Sequence, residues 1–417
     1  MSVSADPCAQ PSLIHPDDAL PLLLDQITPV IDVLQLPLEQ ALDLVLAQDI
    51  KSNLNLPPFD NSAMDGYAFR FKDLQDGHDK TTLKLVGQAF AGHPFNDDIP
   101  QGGCVRIMTG AKVPAQLDSV QMQELTDNDG DNITITHPTK QGANVRGMGE
   151  EVSIGQVVLT KGTRIRAAEL GVLATLGVAN VNVYRKLKVA FFSTGDELKP
   201  VGTELKEGQI YDSNRYSIKG LLTKAQVEWI DLGIIEDKPE AIEAAFKHAA
   251  SQADLVLTSG GVSVGDADYV KQVLNDVGEI TFWRLAMKPG KPFAMGKINN
   301  AIFCGLPGNP VASMVTFYQL VLPIINKMQS LPALNRLRLN VKLAHDIRRR
   351  AGRVEYQRGV LATNDAGELE VSTTGAQGSG MLTSMAIANC FITLPIDQGE
   401  IKAGSLVSVE PFNSVLA

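Results

Sequence analysis

Four segments of this chain combine glycines with hydroxyls, charged side chains or a helix start in a way that suits anion chemistry. Ser193-Thr194-Gly195-Asp196-Glu197 follows an apolar run, and so does Ser259-Gly260-Gly261-Val262-Ser263-Val264-Gly265-Asp266-Ala267-Asp268. Glycine lets backbone N–H groups approach a phosphate closely, and a helix that follows points its positive end at the anion. A tight strand-to-helix turn is the plain alternative, but the glycines, serines and acids crowded into the second loop favour an anion site. The acids Asp196, Glu197, Asp266 and Asp268 would repel a phosphate unless a hard cation lay between them, which is the usual geometry of Mg²⁺ held by one or two carboxylates plus substrate phosphates. Asp266 reads equally well as a helix cap. Glu197 and Asp268 read as functional.

The third segment is Met287-Lys288-Pro289-Gly290-Lys291-Pro292, with Arg284 upstream. Lysine is a compact point charge suited to an oxyanion, and the prolines restrict where these two can go. The fourth is Gly305-Leu306-Pro307-Gly308-Asn309-Pro310-Val311-Ala312-Ser313, where Asn309 fits an N-cap and Pro310 the first helical position. A strand-to-helix connection with no ligand explains this segment equally well. Pro57 to Ala68, with Asp60, Asn61 and Asp65, reads by itself as a polar turn whose side chains satisfy its own backbone.

The elements that must carry these loops are legible in the patterning. From 187 onward, apolar strands alternate with amphipathic helices: LKVAFFS, a helix near 213–225, VEWIDLGII, PEAIEAAFKHAA, DLVLTS, DYVKQVLNDV, strands near Ile280–Trp283 and Ala301–Cys304, and a helix from Pro310 to Met328. This predicts a mostly parallel α/β sheet covered on both faces, with ligands beyond the carboxyl ends of its strands. Residues 12–50 read as helical, with a start at Pro16-Asp17-Asp18 and a second helical segment over Leu36–Leu46. From about 53 to 155, short runs (Leu83–Val86, Val105–Met108, Ile133–Ile135) alternate with turn residues and predict a loop-rich β domain. Ala167–Leu176 reads as a short helix. Residues 333–417 predict a small β-barrel or sandwich with a turn at Asn364-Asp365-Ala366-Gly367.

Composition bounds the function. The chain has 417 residues, a size for about three domains, and a net charge of −10. Acidity argues against nucleic acid, which calls for basic faces, so an anionic substrate would need local cations or oriented N–H groups. Cys8, Cys104, Cys304 and Cys390 are far apart, and the six histidines are scattered. Reduced thiols in a cytoplasmic protein and no zinc site are expected. Neither a secretory signal nor a run of about 18 uninterrupted apolar residues is visible, so no membrane partner is expected.

Taken together, FDNSAMDGYA, RIMTGA, STGDEL, Tyr211-Asp212-Ser213-Asn214, SGGVSVGDADY, MKPGKP and GLPGNPVAS resemble, in this order, the molybdopterin molybdenumtransferases, the family of bacterial MoeA and the gephyrin E domain. SGGVSVG alone is also similar to molybdopterin adenylyltransferases and competence-damage-inducible proteins, whereas FDNSAMDGYA with GLPGNP is specific. The resemblance spans essentially the whole chain. It implies an α/β plus β multidomain fold: a helical linker domain over 10–52 and 155–185, an inserted loop-rich β domain over 53–154, an α/β domain over 186–331 resembling the adenylyltransferase fold, and a C-terminal β-barrel over 332–417. It also implies a homodimer whose cleft lies between the α/β domain of one subunit and the inserted domain of the other.

The implied reaction inserts molybdenum from molybdate into adenylylated molybdopterin, with Mg²⁺-dependent release of AMP. By resemblance the catalytic positions are Asp65, Thr109, Glu151, Glu197, Asp237, Asp268, Lys288 and Lys291, with Glu197, Asp237 and Asp268 as the metal set. Substrate would be held by Thr194, Gly195, Asp212, Ser213, Asn214, Ser259, Gly260, Gly261, Val262, Ser263, Arg284, Pro307, Gly308, Asn309, Pro310 and Ser313, and by Arg358 and Ser379 from the last domain. Lys288, Lys291 and Ser313 suit molybdate. A molybdopterin adenylyltransferase and other proteins of cofactor assembly are the expected protein partners. Glu151 stands where the family has Asp, and Arg284 where lysine is frequent. Two rival readings remain: an adenylyltransferase, disfavoured by the inserted domain, and a non-catalytic scaffold, disfavoured by the retained acids and lysines.

Overall fold

A computed structural model describes residues 13–74, 80–136, 140–260 and 269–412. The chain divides into two compact units. One comprises Gln48–Lys161 with Ala168–Ala179, and the other comprises the remaining described residues.

The second of these units contains the α/β sheet. Its six strands run in the order Glu228–Ile235, Lys188–Thr194, Leu255–Ser259, Ala301–Leu306, Pro292–Ile298, Glu279–Arg284. The first four are mutually parallel and the last two antiparallel. Pro292–Ile298 is a strand that periodicity did not reveal. It follows the proline-rich loop directly and forms a hairpin with Ala301–Leu306, which turns on Asn299 at φ 53°. The central strands Leu255–Ser259 and Ala301–Leu306 are buried along their whole length, as a sheet covered on both faces requires. One face packs on Ser213–Lys224 and Pro310–Met328, and the other on Pro239–Gln252 and Tyr269–Val277.

Pro310–Met328 has the length and apolarity of a membrane span, but 83% of its 18-residue window is buried inside the protein, which marks it as a core helix. Its middle, Phe317–Val321, widens to a π-turn just before Pro323, whose ring lacks an N–H to donate.

Residues after 338 close into a five-stranded barrel: Val354–Thr363, Leu369–Thr373, Leu339–Leu343, Leu406–Pro411 and Cys390–Leu394, the last pairing back onto the first. The expected turn is present, with Gly367 at φ 78° donating to the Asn364 carbonyl. A two-residue strand, Met287–Lys288, adds parallel to Val354–Glu355. The lysine loop is thereby hydrogen-bonded to the barrel.

The first 50 residues depart from expectation. Pro16–Asp25 is a helix, capped by the His15 side chain, but Leu36–Leu46 is not. Val33–Pro37 is a strand paired antiparallel with Asn180–Tyr184, followed by a 3₁₀ turn at Leu38–Gln40 and a short strand at Val45–Leu46. The strand partner lies more than 140 residues away, where no local pattern can announce it.

The other unit is the loop-rich β domain. Its main sheet runs Ser119–Met122, Gly66–Phe69, Gly103–Ile107, Thr81–Ala89, Asn132–Ile135, Thr126–Asn128. Two small cores, around Val105–Ile107 and around Tyr67, Phe69 and Ile133, fill its two faces. The helix Ala167–Thr175 matches the expected one.

Candidate active site

Three glycine loops meet at the carboxyl ends of the parallel strands. Gly260 sits at φ 95°, and a Cβ there would lie 2.7 Å from the Thr194 carbonyl oxygen. Its N–H donates to the Leu306 carbonyl. Only glycine tolerates both the torsion and the approach. Behind this crest, Asn214 Nδ2 donates to Ser259 Oγ at 2.6 Å and to the Gly308 carbonyl at 2.7 Å. Asp212 caps the helix Ser213–Lys224, its Oδ1 accepting from Arg215 N. The structure thus gathers Thr194, Gly195, Asp212, Ser213, Asn214, Ser259, Gly260 and Gly308. Asp212 Oδ2, Asn214 Oδ1, Ser193 Oγ and Thr258 Oγ1 are buried there without a hydrogen-bond partner among the described residues. Gly261, Val262, Ser263 and Asp268 lie outside the described residues.

Two clefts adjoin the crest, one at Gly195 and the other at Gly260 and Gly308. The first, about 590 Å³, is lined by Gly195, Asp196, Lys199, Arg215, Asp237 and Lys238, among others. Burial, and then the charges of Asp196 and Glu197, hold the Asp237 carboxyl above the ordinary carboxylate range. Like charges crowded in this way favour a cation between them. Glu197 folds back against Gly195, where a Cβ would meet its carboxylate at 2.6 Å. Among the described residues, no group of three or more His, Cys, Asp or Glu side chains is arranged to hold a metal. Glu197 and Asp237 offer two carboxylates, which is what Mg²⁺ needs when substrate phosphates supply other ligands.

The second cleft, about 650 Å³, is lined by Gly260, Pro307, Gly308 and Asn309 on one side and by Lys288, Lys291 and Arg353 on another. Gln377, Gly378 and Ser379 close it. Gly290, at φ 104°, packs so closely on Thr316 Oγ1 that a Cβ would lie 2.6 Å away. Lys288 Nζ is 2.9 Å from Glu355 Oε1, and Arg349 Nε is 3.2 Å from the other oxygen of that buried carboxylate.

Arg358 is buried. Its Nε donates to Ser384 Oγ and its Nη2 to the Gly378 carbonyl, both at 3.0 Å. It therefore shapes the 376–379 loop. Ser379 presents its carbonyl to Val311 N–H at the start of the helix. Pro310 is the first helical residue and Asn309 its cap, but the Asn309 side chain makes no capping bond. Ser313 is buried and its hydroxyl donates to the Pro307 carbonyl at 2.6 Å. Arg284 lies on the outermost strand, paired with Pro292, which lines the second cleft; among the described residues its Nε is buried without a hydrogen-bond partner.

In the loop-rich unit, Asp65 and Thr109, 44 positions apart, come together. Asp65 Oδ1 accepts from Thr109 N at 2.7 Å and from Thr109 Oγ1 at 2.8 Å. The N–H first and the hydroxyl second hold this carboxyl below the ordinary range. Asp65 is exposed, and that oxygen serves Thr109, 44 positions along the chain, and not its own turn. Asp60 likewise accepts from a distant backbone N–H, that of Met148. Glu151 is exposed in the same unit, and its N–H donates to the Leu56 carbonyl. Sequence reasoning missed Arg353 and Gln377. The arginine run Arg348-Arg349-Arg350 and Arg353 in an otherwise acidic chain was the available signal.

Known proteins match this chain along almost its whole length. Residues 14–177 match the MoeA N-terminal region (domain I and II), 190–327 the probable molybdopterin binding domain, and 340–412 the MoeA C-terminal region (domain IV). The molybdopterin molybdenumtransferase of Haemophilus influenzae is 47% identical over 402 residues, covering 96% of this chain and 99% of that protein. That of a Nostoc species is 34% identical, covering 96% and 95%. The structure of the molybdopterin biosynthesis MoeA protein from Pyrococcus horikoshii superposes with a TM-score of 0.83 at 30% identity, covering 96% of this chain and all of that one. With strand ends, lysine loop and barrel arranged as described, this chain belongs to the MoeA family of molybdopterin molybdenumtransferases.

Proposed function

We propose that this transferase takes molybdenum from molybdate, inserts it into adenylylated molybdopterin, and releases AMP with Mg²⁺ bound. The observation that carries the reading is the 650 Å³ cleft, where Lys288, Lys291 and Arg353 face glycine-rich strand ends. Cations opposite glycine-rich strand ends suit a substrate that is anionic at two places. In this reading Lys288 and Lys291 attract molybdate, and the 194–195, 259–260 and 307–309 loops hold the pyrophosphate. Glu197 and Asp237 would hold Mg²⁺, which neutralises phosphate charge and polarises the phosphoanhydride when bound. Asp65, fixed by Thr109, acts on a proton during turnover. Arg358 positions Ser379 and the 376–378 backbone.

The chain acts as a homodimer in this reading. Support comes from Ile31, Val33 and Leu34, which are 73%, 52% and 45% exposed on and beside the edge strand of a three-stranded sheet. Apolar side chains on an unpaired edge invite a partner. The buried free thiols of Cys104, Cys304 and Cys390 fit a reducing cytoplasm. Delivery of the adenylylated substrate by an adenylyltransferase is part of the same proposal.

The test is a release assay with purified protein, adenylylated molybdopterin, Mg²⁺ and molybdate. Molybdate-dependent AMP release with metal-loaded cofactor is the expected result. Tight binding without release would make the protein a carrier. ATP consumption with free molybdopterin would make it an adenylyltransferase.

A further inference from the structure

The 650 Å³ cleft is held to one geometry by main-chain bonds. Val354 N–H donates to the Ala286 carbonyl and Leu285 N–H to the Lys291 carbonyl, both at 2.8 Å. Met287–Lys288 pairs with Val354–Glu355. Arg353, the residue before this pairing, is thereby carried to the lysine loop. Its own carbonyl accepts from Arg349 Nη2.

The three cations lining the cleft are not equivalent. Lys288 is compensated: Glu355, 4% exposed, lies 2.9 Å from its ammonium. Glu355 also serves buried Arg349, so its single charge is already shared between two cations. Lys291 and Arg353 have no carboxylate within ion-pair distance among the described residues. Both are half-buried. Among the described residues, then, two positive charges without an ion-pair partner line one cleft of a chain whose net charge is −10. Leaving cations partly desolvated and unpaired is costly, and an anion of charge two would remove the cost.

We infer that Arg353 is a further substrate-binding residue, which with Lys291 holds the tetrahedral dianion, while Lys288 is held in place by Glu355. The guanidinium adds what lysine cannot: a planar fork that donates to two oxygens of one oxyanion. This rests on the proposed role of the cleft in taking molybdate.

The experiment titrates full-length protein with molybdate alone, then measures steady-state turnover in the release assay. Arg353→Gln is expected to weaken molybdate binding and raise the KM for molybdate by about 10-fold or more, with the KM for adenylylated molybdopterin within about twofold of wild type. Arg353→Lys should fall between the two, because charge survives and the fork does not. Lys291→Gln should weaken molybdate binding comparably. Wild-type molybdate affinity in Arg353→Gln overturns the inference. A loss in Arg353→Gln with Lys291→Gln unchanged keeps Arg353 but overturns the pairing. If neither substitution moves the affinity, or wild type binds no molybdate, the reading of the cleft falls as well. Circular dichroism and melting curves of each variant separate these outcomes from misfolding, and Arg353→Lys serves as the charge-conserving variant should Arg353→Gln not fold.

Discussion

Asp65 owes its character to one neighbour. Two donors from Thr109 on a single oxygen stabilise the ionised form, so the carboxylate persists to lower pH than usual. Asp65→Asn keeps an oxygen for Thr109 but removes the charge. Turnover in the release assay should drop by about 100-fold or more if the carboxylate moves a proton, while the melting temperature stays near wild type because the side chain is exposed. Thr109→Ala removes the hydroxyl bond and leaves the N–H. The folded pKa of Asp65 then rises toward its ordinary value, and the acidic limb of the pH–turnover profile should move to higher pH. Asp237 behaves in the opposite sense. Its raised pKa means the folded state holds its proton more tightly than the unfolded chain, so stability is lost as pH rises through the carboxylate range. At neutral pH without magnesium, Asp237→Asn should therefore raise the melting temperature. It should also lose the further increment that Mg²⁺ gives the wild type, and an unchanged increment would remove Asp237 from the metal set.

At the scale of elements, the barrel positions the lysine loop through Glu355. That carboxylate is buried between Lys288 and Arg349, and Gln357 Nε2 donates to it at 3.2 Å. Glu355→Gln leaves the Arg349 guanidinium buried without a counter-charge. Urea unfolding should show a loss of about 3–5 kcal/mol, the usual cost of breaking a buried ion pair from one side. A loss below about 1 kcal/mol, the range of exposed pairs, would mean that water compensates Arg349. The hairpin Pro292–Ile298 with Ala301–Leu306 performs a second positioning task. It places Lys291 at the entry to one strand and Pro307 at the exit of the next.

For the whole molecule, the exposed edge strand Val33–Pro37 bears on assembly. Its outer neighbours are absent from the three-stranded sheet, yet it carries apolar side chains. Leu34→Asp should shift the protein from dimer to monomer in light scattering, with unchanged far-ultraviolet circular dichroism. A wild type that is monomeric at micromolar concentration would end the dimer proposal. Each compact unit has its own buried clusters.

The sequence by itself determined the α/β unit. Its helices and parallel strands are long enough for local periodicity to dominate, and its ligand loops fall at strand ends because glycine, proline and capping residues act over a few positions. It also determined that Lys288 and Lys291 sit in a restricted loop. Only the tertiary structure decided what those residues face. Val33–Pro37 became a strand because a distant segment paired with it, and Asp65 met Thr109 across 44 residues. Lys288 found Glu355, Ser313 turned its hydroxyl to Pro307, and Arg353 arrived at the cleft because Met287–Lys288 joined a barrel strand. Charge compensation and non-local hydrogen bonding depend on which segments meet in space, and spacing along the chain carries no record of that.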